Sequence, residues 1–212
     1  MKKLTGTRVS ALLLALLLTA ASLAGCSELK EKLGASKQEE ETLYPISVAG
    51  REIRVGETKM QTLLDAGYDV TITNPDDPND YEQYEVDPET MLEENAYYSG
   101  GTMSLSDSTF AHVSFVTDEQ PVKLAEATIA RLEFHLDLEE TDLLGNISIN
   151  GVPVTEITRE KAEEMFPDFT GDETMWLKYG LTYRYDLNFD SQTGRLRQFA
   201  VERKYDVDYT AE

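Results

Sequence analysis

The residues in this chain whose chemistry is most sharply specified are Leu23-Ala24-Gly25-Cys26. Cys26 is the only cysteine of the 212 residues, so no intramolecular disulfide and no multi-cysteine metal site can form. A single thiol behind small residues, at the end of an apolar run, is placed for covalent modification. The other reactive side chains are thinly spread. The two histidines, His112 and His135, have no His, Cys or Asp at metal-ligand spacing. Asp186-x-Asn188-x-Asp190 begins like a calcium loop, but Ser191 replaces the glycine and Arg197 stands where the closing glutamate belongs. The acidic run 74–87 offers carboxylates to a cation, yet prolines interrupt it and its spacing fits a solvated turn better. No Gly-rich phosphate loop is present, and no Gly-x-Ser-x-Gly elbow. No catalytic residue, metal site or cofactor is therefore assigned.

Aromatic residues supply the remaining candidates. Trp176, Tyr179, Tyr205 and Tyr209 are read as a partner-binding set for sugars or a protein, since Trp and Tyr dominate interface anchors. The alternation of Tyr183, Tyr185, Leu187 and Phe189 points to a buried sheet face, and Tyr205 and Tyr209, near the end of the chain, are expected to be exposed.

The segment that positions Cys26 has three parts. Lys2, Lys3 and Arg8 form a positive start, residues 11–18 are an unbroken Ala/Leu run, and small residues lead to Gly25. That is the layout of a secretory signal peptide, and the apolar run is short for a membrane span of about 20 residues. Leu23-Ala24-Gly25-Cys26 resembles the lipobox of bacterial lipoproteins at all four positions. The resemblance implies cleavage between Gly25 and Cys26, a diacylglyceryl group on the Cys26 thiol, and residence on the extracytoplasmic face of the cell membrane, with the bilayer as first partner. Two acyl chains suffice for stable anchoring.

Charge narrows the partners further. The formal net charge is −21, from 19 basic and 40 acidic residues. Residues 1–25 hold three basic and no acidic residues, so without them 16 basic face 40 acidic and the charge is −24. Such a chain does not bind nucleic acid, whose binding rests on Lys and Arg neutralising phosphates. Anionic lipid headgroups repel it too, so attachment must rest on acyl chains.

The expected organisation is a signal peptide at 1–25, a lipidated flexible tether at 26–43, and two α+β modules at 44–140 and 141–212. In the first, residues 46–48 and 51–55 alternate around Ala49-Gly50 as a hairpin. Thr58 and Gln61 form a capping-box pattern that predicts a helix over 59–66, ended by Gly67 and followed by a strand at 68–73. Asp87-Pro88 predicts a second helix reaching Asn95. Strands are expected within 97–138, including Phe110–Val116 and the second half of 123–137. The pattern then returns: Ile147-Ser148-Ile149-Asn150-Gly151 matches Ile46-Ser47-Val48-Ala49-Gly50, and Ala162, Met165 and Phe166 parallel Met60, Leu63 and Leu64. The last element is a hairpin turning at 190–194.

The fold class is thus α+β, antiparallel sheets with short helices, in two similar hairpin–helix–hairpin modules. The unit resembles modules of uncharacterised lipoproteins of Gram-positive bacteria. More distantly it is similar to the helix-plus-antiparallel-sheet units of the β-lactamase-inhibitor-protein and small outer-membrane-assembly lipoprotein folds. The function this implies is a non-enzymatic binding or scaffold module for an envelope protein or polymer. The alternative is a surface enzyme acting on cell-wall polymers through a carboxylate pair.

Overall fold

The computed structural model describes residues 41–77 and 79–209, with side chains as far as Val207. Gly25 and Cys26 lie outside the described residues, as does most of 26–43. The described part belongs to one compact unit, Glu41–Glu212. It consists mostly of antiparallel sheets with a few short helices.

Two hairpins begin it. β1 (Ile46–Val48) turns through Ala49-Gly50 into β2 (Arg51–Ile53). β10 (Ile147–Ile149) turns through Asn150-Gly151 into β11 (Val152–Pro153). Both turn residues of each pair are left-handed, with φ of +47° and +78° in the first and +51° and +79° in the second. That is the two-residue turn whose twist matches paired strands, and it selects Gly at its second position. The two hairpins then join. β1 runs antiparallel to β10 with Ser47 facing Ser148, giving one four-stranded sheet in the order β11-β10-β1-β2.

Each hairpin leads to a helix. α1 (Met60–Asp65) buries Met60 and Leu63. It lacks the expected capping box, because Thr58 Oγ1 accepts from Arg54 N–H at 2.9 Å and no side chain caps the helix. The backbone of 127–129 takes that role: Met60 N–H donates to Ala127 C=O at 2.9 Å, and Ile129 N–H to Thr58 C=O at 2.8 Å. A short helical turn, α2 (Thr141–Leu144), precedes β10. α3 (Arg159–Met165) is capped by Thr158, whose hydroxyl accepts from Lys161 N–H at 3.2 Å. The helix expected from Asp87 to Asn95 is not formed. Asp87 caps a single turn, accepting from Glu89 N–H at 3.0 Å, and β5 (Met91–Leu92) then pairs with β8 (Val122–Lys123). The carbonyls of Pro88 and Thr90 are taken by the N–H groups of Ala125 and Leu124, which removes them from helix formation.

The remaining strands build one large sheet. In chain order they are β3 (Asp69–Ile72), β4 (Tyr84–Glu85), β6 (Ala96–Ser104), β7 (Phe110–Val116), β9 (Thr128–His135), β12 (Thr170–Gly171), β13 (Met175–Tyr179), β14 (Tyr183–Phe189), β15 (Leu196–Arg203) and β16 (Asp208–Tyr209). Their order across the sheet is β12-β13-β14-β15-β9-β7-β6-β3-β4, with β16 parallel to β6 at Ala96 and Tyr97. The segments 44–140 and 141–212 therefore share both sheets, through β1–β10 and through β9–β15.

One face of the large sheet is the core. Leu132, Phe134, Leu187, Phe199 and Val201 point inward among the buried residues of the small sheet and the helices. Phe134 and Phe199, at the β9–β15 seam, stack with ring centroids 4.7 Å apart and planes within 9°. Burying such side chains contributes about 1.5–3 kcal/mol each. The chain approaches this core through Glu41. Its carboxylate accepts the backbone N–H groups of Leu181, Thr182 and Tyr183 at 2.5, 2.6 and 2.8 Å. Tyr44 follows, packed edge-on against Phe166 and Tyr185.

Candidate functional site

Among the described residues, no second layer covers the opposite face of the large sheet where β13, β14, β15 and β9 lie. Its residues alternate with the core residues, and the strand registers place them in three rows. The middle row is Leu177, Asp186, Ala200, Glu133 and His112. On one side runs Tyr179, Arg184, Glu202 and Arg131; on the other, Met175, Asn188, Gln198 and His135. Ala200 stands at the centre with only a methyl group, while the residues around it on three strands are charged or polar. The result is a depression of about 250 Å³ with Ala200 in its floor.

Ion pairs hold its walls. Arg184 Nε lies 2.9 Å from Asp186 Oδ2, and the guanidinium sits 4.8 Å from the centroid of Tyr179. Arg131 pairs with Glu133, whose other oxygen accepts from Gln198 Nε2 at 2.5 Å and lies 3.2 Å from His135 Nε2. The Asp186 and Glu133 side chains are only 14% and 17% exposed. Several polar atoms here are buried without a hydrogen-bond partner: Arg131 Nε, Arg184 Nε, Asp186 Oδ1 and His135 Nε2. The Arg184 and His135 nitrogens approach a carboxylate without the alignment of a hydrogen bond. Asp186 raises the Arg184 pKa against the opposing effect of burial, which is the larger single influence. Beyond the depression, His112 and His135 meet at 5.2 Å, with Phe110 stacked 4.8 Å from His135. Partial loss of water, then the neighbouring His135, lowers the His112 pKa. The chain order gives no sign of this meeting, because it depends on β7 lying beside β9.

One end of the same face is closed. After Arg203 the chain crosses to β6, and Tyr205 and Val207 pack on Tyr97, Val116 and Ala130. Tyr205, expected at the exposed end of the chain, is thus half-buried, its hydroxyl without a hydrogen-bond partner. Nothing is described of the Tyr209 side chain. Trp176 and Tyr179 lie on opposite faces of β13. Trp176 packs on the core side, donates Nε1–H to Phe166 C=O at 3.1 Å and carries Arg159 at 3.8 Å from its ring. Tyr179 is 62% exposed on the open face. Trp176 and Tyr179 therefore do not share a platform, and of the described side chains of the set Tyr179 alone borders the depression.

The acidic segment has a hollow of its own, about 340 Å³, walled by Thr73–Asp76, Tyr84, Glu85 and Asp87. It is built on loops, whereas the depression over Ala200 is built on four paired strands, the better support for a fixed arrangement of side chains. Among the described residues no group of three or more His, Cys, Asp or Glu is placed to hold a metal ion. Asp190 does not join Asp186 and Asn188 in a loop. It closes the β14–β15 turn, accepting from Thr193 N–H and Oγ1–H at 2.8 Å, which lowers its pKa.

No family model, curated protein or solved structure matches the chain.

Proposed function

We propose that this chain is a lipid-anchored extracytoplasmic lipoprotein whose folded domain is a non-enzymatic binding module of the cell envelope. Leu23-Ala24-Gly25-Cys26 supports the anchor. The observation that carries the binding half is the polar face around Ala200, open among the described residues, where rigid strands hold paired charges about a depression. Two similar hairpin–helix–sheet modules joined about Ser47–Ser148 and at the β9–β15 seam are the scaffold in this reading, and the matching turn conformations support a duplication.

The enzymatic alternative draws on the same face. Asp186 and Glu133 flank Ala200 two strands apart, roughly 9–10 Å between backbones. That approaches the separation used by inverting glycosidases. Each carboxylate is held by an arginine, however, and neither stands in the apolar setting that keeps a catalytic acid protonated. Binding is the better reading.

Two measurements test it. Cys26→Ser should abolish incorporation of labelled fatty acid and move the protein out of the membrane fraction; a variant that stays acylated and membrane-bound refutes the anchor. Immobilised protein should retain material from the host envelope, and Ala200→Leu, which fills the depression, should lose it. Equal retention by the two proteins refutes the open face as the binding surface.

A further inference from the structure

We infer that the turn joining β13 to β14, residues 180–182, is the part of the fold that rests on the lipid surface, with Leu181 entering the headgroup layer. This rests on the reading of Cys26 as the acylated anchor and adds which surface of the domain the bilayer meets.

The path of the chain points to this turn first. Fifteen residues lead from Cys26 to Glu41, and even fully extended they reach only about 50 Å. Glu41 is fastened to the turn, its carboxylate accepting the N–H groups of Leu181, Thr182 and Tyr183. The turn is shaped for that carboxylate, since a Cβ at Gly180 would collide with it. The chain coming from the anchor therefore meets the fold beside Leu181.

Exposure and charge single out the same place. Among the described residues, the exposed large hydrophobic side chains are Tyr81, Tyr84, Met91, Met175, Tyr179 and Leu181, with Leu181 at 73%. Tyr81 and Tyr84 stand in the acidic run 74–87, Met91 lies between Glu89 and Glu93, and Met175 follows Asp172 and Glu173. Anionic headgroups repel such stretches. Residues 176–185, in contrast, hold Lys178 and Arg184 and no Asp or Glu. The carboxylates that approach them are engaged, Asp168 by Lys178 at 2.6 Å and Asp186 by Arg184 at 2.9 Å. Lys204 adds an exposed cation beside the turn. The acidic run is also remote, because β4 lies seven strands from β13, roughly 30 Å across the sheet.

The backbone of the turn suits a water-poor layer, where an unpaired N–H or C=O is costly. Gly180 N–H donates to Tyr183 C=O at 2.9 Å, and the next three N–H groups go to Glu41. The carbonyls of Gly180 and Thr182 accept from Lys204 Nζ and N–H at 2.5 and 2.8 Å. Leu181 supplies the apolar side chain, Tyr179 the amphipathic ring of a membrane interface, and Lys204 a charge that stays at the headgroups. In this orientation the β13–β14 hairpin rises from the membrane and the face around Ala200 opens sideways.

The test uses the acylated protein in phosphatidylcholine vesicles whose lipids carry bromine near the headgroup end of the acyl chains, which quenches tryptophan within the interface. Leu181→Trp puts a reporter at the turn and Met91→Trp one on β5, with far-ultraviolet circular dichroism confirming that each variant is folded. After subtraction of the wild-type Trp176 signal, the Leu181→Trp emission should fall about twofold or more, and the Met91→Trp emission should stay within about a tenth of its value in unbrominated vesicles. Equal quenching of the two variants overturns the inference. Acylated, vesicle-bound protein in which Leu181→Trp is unquenched refutes the orientation alone, whereas wild type recovered without acyl chains and without vesicle binding refutes the anchor and the orientation with it. Shielding of Leu181→Trp from aqueous acrylamide in host envelopes but not in vesicles identifies a protein at the turn and overturns the lipid.

Discussion

Replacing Phe134 by alanine should destabilise the second half of the chain as much as the first. Phe134 lies on β9, in the first half of the chain, and is 0% exposed. Its stacking partner, Phe199, lies on β15 in the second half and is 1% exposed. Removing either ring should cost about 3–5 kcal/mol in lost transfer free energy and cavity formation. The stacked pair should add a coupling of ~0.5–1.5 kcal/mol in a double-mutant cycle. Trp176 is the only tryptophan and lies on β13, so its fluorescence reports on the second half alone. If both halves share one core, Phe134→Ala must move the Trp176 unfolding transition as far as Phe199→Ala does. With a urea dependence of about 2 kcal/mol per M, a loss of about 4 kcal/mol lowers the midpoint by about 2 M. Far-ultraviolet circular dichroism should follow the same curve. A Trp176 transition unmoved by Phe134→Ala, or two separated transitions, would refute a single cooperative core. Phe134→Leu should give a smaller shift in the same sense, useful if the alanine variant is too unstable to purify.

Two further outcomes follow from local structure. Glu41 is held by three backbone N–H donors, which lower its pKa even though burial, the largest single influence, acts to raise it. A lowered carboxylate stabilises the fold above its unfolded pKa of about 4.3 and loses that contribution as pH falls through the folded value. Glu41→Gln should therefore cost about 1–3 kcal/mol at pH 7, and the gap from wild type should close under acid, measured by urea titration at several pH values. Equal stability at pH 7 would remove Glu41 from the fold. Ala49→Asn should stabilise by about 0.5–1 kcal/mol, because Ala49 sits at φ +47° where Asn is better tolerated and where Asn150 already stands in the second hairpin. A lower melting temperature would contradict the turn geometry.

The parts of this fold legible in the sequence are those fixed by neighbours in the chain. The Gly-containing turns and the β14–β15 hairpin depend on residues within a few positions of each other. The pairing of β1 with β10 does not, since it joins segments about a hundred residues apart and no local pattern specifies it. The capping box at Thr58 fails for the same reason: a distant backbone, 127–129, supplies the bonds the sequence leaves open. The site is half legible. The alternation in Tyr183–Phe189 assigns Arg184, Asp186 and Asn188 to one face, but only the register to β15 and β9 brings Glu133 and Arg131 beside them. Trp176 and Tyr179 are three residues apart, which on a strand means opposite faces. Grouping them as one surface overlooked that period.

The attachment of Glu41 also has a mechanical consequence. Among the described residues, a pull on the chain from its N-terminal side loads the Glu41 clamp first, through three bonds to one turn. Tyr44 then resists through its aromatic neighbours. Behind it lies β1, an interior strand of the small sheet, held by β2 on one side and β10 on the other. Tension that passes the clamp is therefore divided between two ladders, one local and one reaching the second half of the chain. The clamp thus stands ahead of the small sheet in the path of the load.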